Sequence, residues 1–260
     1  MLQKLNPEIN AAILDMDGVL WRSDNPLCDL NLLFSKFNDS GIRITFATNN
    51  ATKTVQEYVE KFKRLGVTVD DHQIVTAAMA TADLLKSVYP FGGPIFVMGS
   101  PTLKQELLSN GFHNSDQNPL AVVVGMDREL TYEILNKTAN LVRSGLPFYG
   151  TNPDVTYPTP EGLAPGAGAC IAAIETSSGV SAIMAGKPSP YLFTTAMQRM
   201  KSKPSETLVI GDRLETDILG GATAGCKTAP VLSGVSSMAD LKNWDPKPDL
   251  VLDNIMDLFS

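Results

Sequence analysis

Ala11-Ala12-Ile13-Leu14-Asp15-Met16-Asp17-Gly18-Val19 sets a short apolar run against two carboxylates and a glycine. The run reads as a strand. In an extended chain residues i and i+2 point to the same side, so Asp15 and Asp17 are expected to project together from its end. Open α/β sheets hold their ligands beyond the carboxyl ends of their strands. Two acids there can supply a nucleophile, a proton donor and a metal anchor. Asp-Gly is also among the commonest turn dipeptides, and on these residues alone a plain strand-to-turn junction reads equally well.

The surrounding chain repeats the pattern. Ile42 to Ala47 reads as a second strand and runs into Thr48-Asn49-Asn50. Val55, Tyr58, Val59 and Phe62 then recur at helical spacing. Near the other end, Thr207 to Ile210 leads into Gly211-Asp212, and Thr228 to Leu232 and Asp249 to Leu252 read as further strands. Strands separated by helix-length spacers argue for a doubly wound parallel α/β sheet.

The middle of the chain alternates in the same way, with strands expected at Pro94 to Met98, Leu120 to Gly125, Phe148-Tyr149 and Ser181 to Ala185. Helices are expected around Leu103 to Leu108 and Tyr132 to Val142. The candidate catalytic motifs lie only outside this segment. It is therefore read as a smaller inserted α/β domain over 81–185, within a core of 1–80 and 186–260. Thr151 to Gly168, rich in Pro, Gly and Thr, is read as a long irregular loop, which is uncommon unless it binds something.

Composition narrows the field of partners. A net charge of −7 over 260 residues argues against a nucleic-acid polymer, which demands basic patches. Cys28, Cys170 and Cys226 form no Cys-x-x-Cys pair and are odd in number, which fits a reducing cytoplasm. The two histidines, His72 and His113, have no zinc-ligand spacing. No stretch approaches the ~20 apolar residues of a membrane span, so no membrane partner is expected.

Four strand ends carry polar clusters: Asp15/Asp17, Thr48-Asn49-Asn50, Lys187-Pro188 after the strand that closes the middle segment, and Gly211-Asp212-Arg213-Leu214-Glu215-Thr216-Asp217. In a parallel sheet all four gather on the carboxyl edge. Singly each has an ordinary reading as a cap, a solvated lysine or a turn. Together and in this order they are poorly explained by chance. The set resembles the haloacid dehalogenase-like superfamily, and the large insert resembles its subclass IIA with an α/β cap, which includes NagD-like and p-nitrophenylphosphatase-like enzymes. Thr151-Asn152-Pro153-Asp154, Pro165-Gly166-Ala167-Gly168 and Gly186-Lys187-Pro188-Ser189 resemble that subclass too, as does Thr216-Asp217-Ile218 with Gly220-Gly221.

The resemblance implies a Mg²⁺-dependent phosphatase of small phosphomonoesters that works through an aspartyl phosphate. Asp15 would be the nucleophile, and Asp17 the acid that protonates the leaving oxygen and then the base that activates water. Asp15, Asp212 and the Asp17 backbone carbonyl would hold Mg²⁺, with Asp217 supporting from outside that set and Arg213 structural. The Thr48 hydroxyl, the Asn49 amides and Lys187 would bind the phosphoryl oxygens. Tyr157 and Pro158 would touch the leaving group from the cap. A homodimer through the cap is implied as well. A phosphomutase or phosphotransferase on the same core, or a non-catalytic module on a phosphatase fold, are the alternative readings. The substrate, whether a nucleoside monophosphate, phosphoglycolate, a glycerol phosphate or a sugar phosphate, is not specified by these motifs.

Overall fold

The acidic stretch issues from the middle strand of a five-stranded sheet. In the computed structural model, which describes residues 1–2, 5, 8–159 and 161–260 except for the Pro158 side chain, the strand order is Lys227–Pro230, Thr207–Gly211, Ala11–Leu14, Arg43–Thr48, Ile74–Thr76. Ala11–Leu14 pairs in parallel with both neighbours, Leu14 standing opposite Ile210 on one side and Phe46 on the other. All four of its side chains are buried, which is why its sequence runs apolar without alternation. From this strand the chain first builds outward through Arg43–Thr48 and Ile74–Thr76. Later it returns to the opposite side with Thr207–Gly211 and Lys227–Pro230. The reversal of strand order therefore falls between Ala11–Leu14 and Thr207–Gly211, and the next residues are Asp15 and Asp212.

Helix Val55–Arg64 turns Tyr58, Lys61 and Phe62 inward, at the three- and four-residue spacing of a buried helical face. Phe62 meets Phe46 at 4.5 Å between ring centroids and Trp21 edge-on at 4.9 Å. These rings belong to a core that also holds Leu14, Met16, Leu33, Phe37, Leu208 and Ile210. Residues 1–48, 55–75 and 188–260 form this first compact unit.

Residues 49–54 and 76–187 form a second unit. Its parallel sheet has the order Ile183–Met184, Phe148–Gly150, Val122–Val124, Gly93–Met98, Phe112–Asn114. Helices Pro101–Ser109 and Tyr132–Arg143 begin where Ser100 and Thr131 accept hydrogen bonds from the Leu103 and Ile134 amides. Helix Ala167–Ser178 adds Ile171 and Ile174 to a core with Met98, Val122, Val124 and Phe148. The expected division at residues 80 and 81 falls inside helix Ala77–Val88.

Three expectations need correction. The first strand stops at Leu14, so Asp15 and Asp17 lie just beyond its end rather than within it. Asp249 to Leu252 is no strand; Leu252 makes a single bridge to Val231. The stretch read as an irregular loop contains a hairpin, Thr156–Thr159 with Gly162–Pro165, and the start of helix Ala167–Ser178. Prolines at its flanks masked the two short strands. No helix among the described residues is long and apolar enough to cross a membrane.

Candidate active site

Asp15 leaves the middle strand with its amide donating to Ile210 O at 2.8 Å. Asp212, 3% exposed, leaves the adjacent strand in the same direction. Its Oδ2 accepts the Val235 N–H at 2.9 Å, and its carbonyl accepts the Ser236 N–H at 3.0 Å. Two glycines make room for this carboxylate. A Cβ on Gly18, where φ is +86°, would lie 2.2 Å from Asp212 Oδ2, and one on Gly234 would lie 2.1 Å from it. Only hydrogen fits at either place.

Asp217 reaches the same place from a five-residue π-turn, Leu214–Ile218. There the Leu219 N–H donates to Leu214 O, and the Ile218 N–H to Arg213 O at 3.3 Å. Such one-residue expansions are frequent at functional sites. Asp217 Oδ2 accepts the Arg213 N–H at 3.1 Å. Asp15, Asp212 and Asp217 each offer one carboxylate oxygen within 4.8 Å of the others. Charges this close repel strongly where water is scarce, and a cation among them relieves the repulsion. An all-oxygen donor set suits a hard ion such as Mg²⁺. The residues present therefore fit the metal. Asp217, expected to act from outside the ligand set, stands within this group.

Asp17 sits one turn further on, where Met16 O accepts the Leu20 N–H at 2.9 Å and Gly18 N–H donates to Trp21 O at 2.8 Å. Met16 is wholly buried while Asp17 is exposed. Asp17 is thus presented outward from this tight turn, two residues beyond Asp15. Thr48, the last residue of Arg43–Thr48, is hydrogen-bonded to the Tyr58 phenol. Burial pushes that phenol well above its ordinary 10.0; the Thr48 bond opposes the shift, and Asp17 and Asp15 add to it. Tyr58 thus stays protonated.

Asn49 and Lys187 belong to the second unit, where they brace one another. Asn49 Nδ2 donates to Lys187 O at 3.0 Å and to Asp154 Oδ1 at 3.3 Å, and its Oδ1 accepts the Lys187 N–H at 2.8 Å. Asn152 Nδ2 in turn donates to Asn49 O at 2.6 Å. The Asn49 side chain, expected to donate to a phosphoryl oxygen, has both amide hydrogens engaged in holding Lys187 and Asp154. Tyr157, half-buried on the hairpin, accepts a hydrogen bond from Arg128 Nη2 at 3.1 Å. The Pro158 side chain lies outside the described residues.

Comparison with known proteins bears on this geometry. A family profile described as haloacid dehalogenase-like hydrolase matches residues 12–113, and a second, HAD-hydrolase-like, matches residues 184–258. Ribonucleotide monophosphatase NagD of Escherichia coli is 35% identical over 96% of this chain and 98% of its own length. The solved structure of NagD superposes with a TM-score of 0.89, covering 95% of this chain and 97% of that one. The acid sugar phosphatase of Staphylococcus aureus is 33% identical over 93% of each chain. A glycerol phosphate phosphatase of Mycobacterium tuberculosis, solved in complex with magnesium, is 31% identical with a TM-score of 0.89, over 96% of this chain and 76% of its own.

The chain belongs to the haloacid dehalogenase-like hydrolase family.

Within the haloacid dehalogenase-like hydrolases it falls in the NagD-like group, and it is a phosphoric monoester hydrolase. The family motifs carried the three clustered acids, but they are silent on what surrounds Asp17 and Thr48. Tyr58, hydrogen-bonded to Thr48, is a residue to which those motifs do not point. Tyr58 was visible as part of a helical apolar stripe, a pattern that does not distinguish core filling from a buried hydrogen bond.

Proposed function

We propose that this hydrolase is a Mg²⁺-dependent phosphatase of small phosphomonoesters that acts through an aspartyl phosphate. The observation that carries the reading is the gathering of the Asp15, Asp212 and Asp217 carboxylates at the reversal of strand order, with Asp17 in the turn that directly follows Asp15. Asp15, Asp212 and the Asp17 carbonyl are the assigned metal ligands, with Asp217 completing or supporting the set. Mg²⁺ bound there supplies neutralising charge for the phosphoryl group and the nucleophile.

The chain's own residues divide the remaining work. Asp15 Oδ attacks phosphorus as the bond to the leaving oxygen breaks, and Asp17 gives that oxygen its proton. Asp17 then takes a proton from the water that attacks the aspartyl phosphate, which releases phosphate and restores Asp15. The Thr48 hydroxyl and the Asn49 backbone amide are assigned to the phosphoryl oxygens. Lys187 is assigned to their charge, with its backbone fixed by the Asn49 side chain. Losing one preorganised donor of this kind typically costs about 10²–10³ in rate.

The second unit is assigned the cap role over about 81–185, with Tyr157 meeting the leaving group. Relatives named for ribonucleotide, sugar and glycerol phosphates support a small phosphorylated metabolite as substrate. Self-association through the second unit belongs to the same proposal, supported by the exposed side chains of Val155, Leu163 and Ile183 there. Three free cysteines support a cytoplasmic setting.

Turnover of p-nitrophenyl phosphate with and without Mg²⁺, for the wild type and Asp15→Asn, tests the core of this reading. The expected result is Mg²⁺-dependent turnover that Asp15→Asn abolishes. Full activity in Asp15→Asn would exclude the nucleophile assignment, and activity unchanged by chelation would exclude the metal. A phosphometabolite panel read as kcat/KM, repeated with Tyr157→Ala, tests the cap residue: an unchanged ranking removes Tyr157 from specificity.

A further inference from the structure

Asp17 does not find its orientation unaided. Trp21 lies four residues on with none of its surface exposed, and its Nε1–H donates to Asp17 Oδ1 at 3.0 Å. Besides the Phe62 edge, Lys61 holds this indole, its Nζ 4.3 Å from the ring centroid. The same Nζ donates to Ser23 O at 2.8 Å, in the turn between Trp21–Arg22 and its partner strand Asn25–Pro26. Lys61 is only 8% exposed.

Burying a lysine is costly unless its charge finds partners. Here one partner is the face of an indole whose sole polar atom grips the proposed proton donor. A cation over an aromatic face draws electron density from the ring, and interactions in series polarise one another. Lys61 therefore makes the indole N–H a stronger donor while the Ser23 contact keeps the ring in place. A buried indole N–H takes a partner in any case; here that partner is the proposed proton donor, and a buried cation backs the ring.

We infer that Trp21, backed by Lys61, is a positioning residue that holds the Asp17 carboxyl in line with the leaving oxygen. The inference rests on the reading of Asp17 as general acid. It predicts a dependence on the leaving group, because a good leaving group departs without a proton and a poor one does not. Packing alone would affect all substrates alike.

The test measures kcat/KM for phenyl phosphate, p-nitrophenyl phosphate and 2,4-dinitrophenyl phosphate, which share an aromatic leaving group of falling basicity. Wild type, Trp21→Phe, Lys61→Met and Asp17→Asn are compared in saturating Mg²⁺. Trp21→Phe is expected to lose about tenfold or more on phenyl phosphate and about twofold on the dinitro ester, giving a steeper line than wild type. Lys61→Met keeps the ring and is expected to shift the slope the same way by a smaller amount. It decides the matter if Trp21→Phe does not fold. Lines parallel to wild type for the folded variants would overturn the inference. A parallel line for Asp17→Asn would instead remove the general-acid role on which the inference stands.

Discussion

Asn49 shows how far a side chain's task can lie from the one its motif suggests. Its amide satisfies both the N–H and the C=O of Lys187, two groups that are otherwise buried. Asn49→Ala leaves them without these partners, and at about 1–2 kcal/mol for each group the variant should be destabilised by about 2–4 kcal/mol. Urea unfolding measures this directly; a loss below about 1 kcal/mol would mean that water or a neighbour replaces the amide. The Thr-Asn-Asn spacing made Asn49 legible as a site residue, but the direction of its side chain was not. That direction depends on Lys187 and Asp154, both far along the chain, and nothing local encodes it. Asp15 and Asp212 were legible for the opposite reason, since each directly follows the apolar strand that aims it.

Among the elements, the π-turn Leu214–Ile218 is the one whose length matters most. It inserts Asp217, which is 2% exposed, toward Asp15 and Asp212, while Glu215 in the same turn is exposed. Deleting Glu215 would restore a four-residue repeat and rotate Asp217 by about 100° about the helix axis. Mg²⁺-supported turnover should then fall by at least about 10²-fold, whereas Glu215→Ala should stay within about twofold. A Mg²⁺ titration of activity on both variants checks the pair, and equal behaviour would mean that Asp217's placement does not depend on the turn. Strands were the easiest elements to read, because those buried on both faces are continuously apolar. The π-turn was invisible in the Gly-Asp-x-x-x-Thr-Asp spacing, which fits an ordinary helix start equally well. The hairpin of Thr156–Thr159 with Gly162–Pro165 was hidden by prolines, which strands tolerate only at edges.

For the whole molecule, buried and half-buried acids with raised pKa values set an alkaline limit. Burial pushes Cys226 up to about 12, and burial together with Asp29 pushes Cys28 up to about 11, both from 9.0. The Tyr58 phenol is raised from 10.0. Well below pH 9 all three are protonated whether the chain is folded or not. Above it the unfolded chain releases protons that the folded chain keeps, so stability declines as pH climbs toward 11–12. The urea midpoint under reducing conditions should be level from pH 7 to about 8.5 and fall beyond pH 9. Cys226→Ala should make the fall shallower, and an unchanged slope would show that its thiol ionises alike in both states. The reversal of strand order, finally, has a consequence for how the protein is made. The middle strand Ala11–Leu14 leaves the ribosome well before its neighbour Thr207–Gly211 and two of the three clustered acids, Asp212 and Asp217. Until then one edge of that strand stays open to wrong partners. Nearly all of the second unit emerges in that interval and can build its own sheet, so the nascent chain completes its acidic cluster only after the second unit.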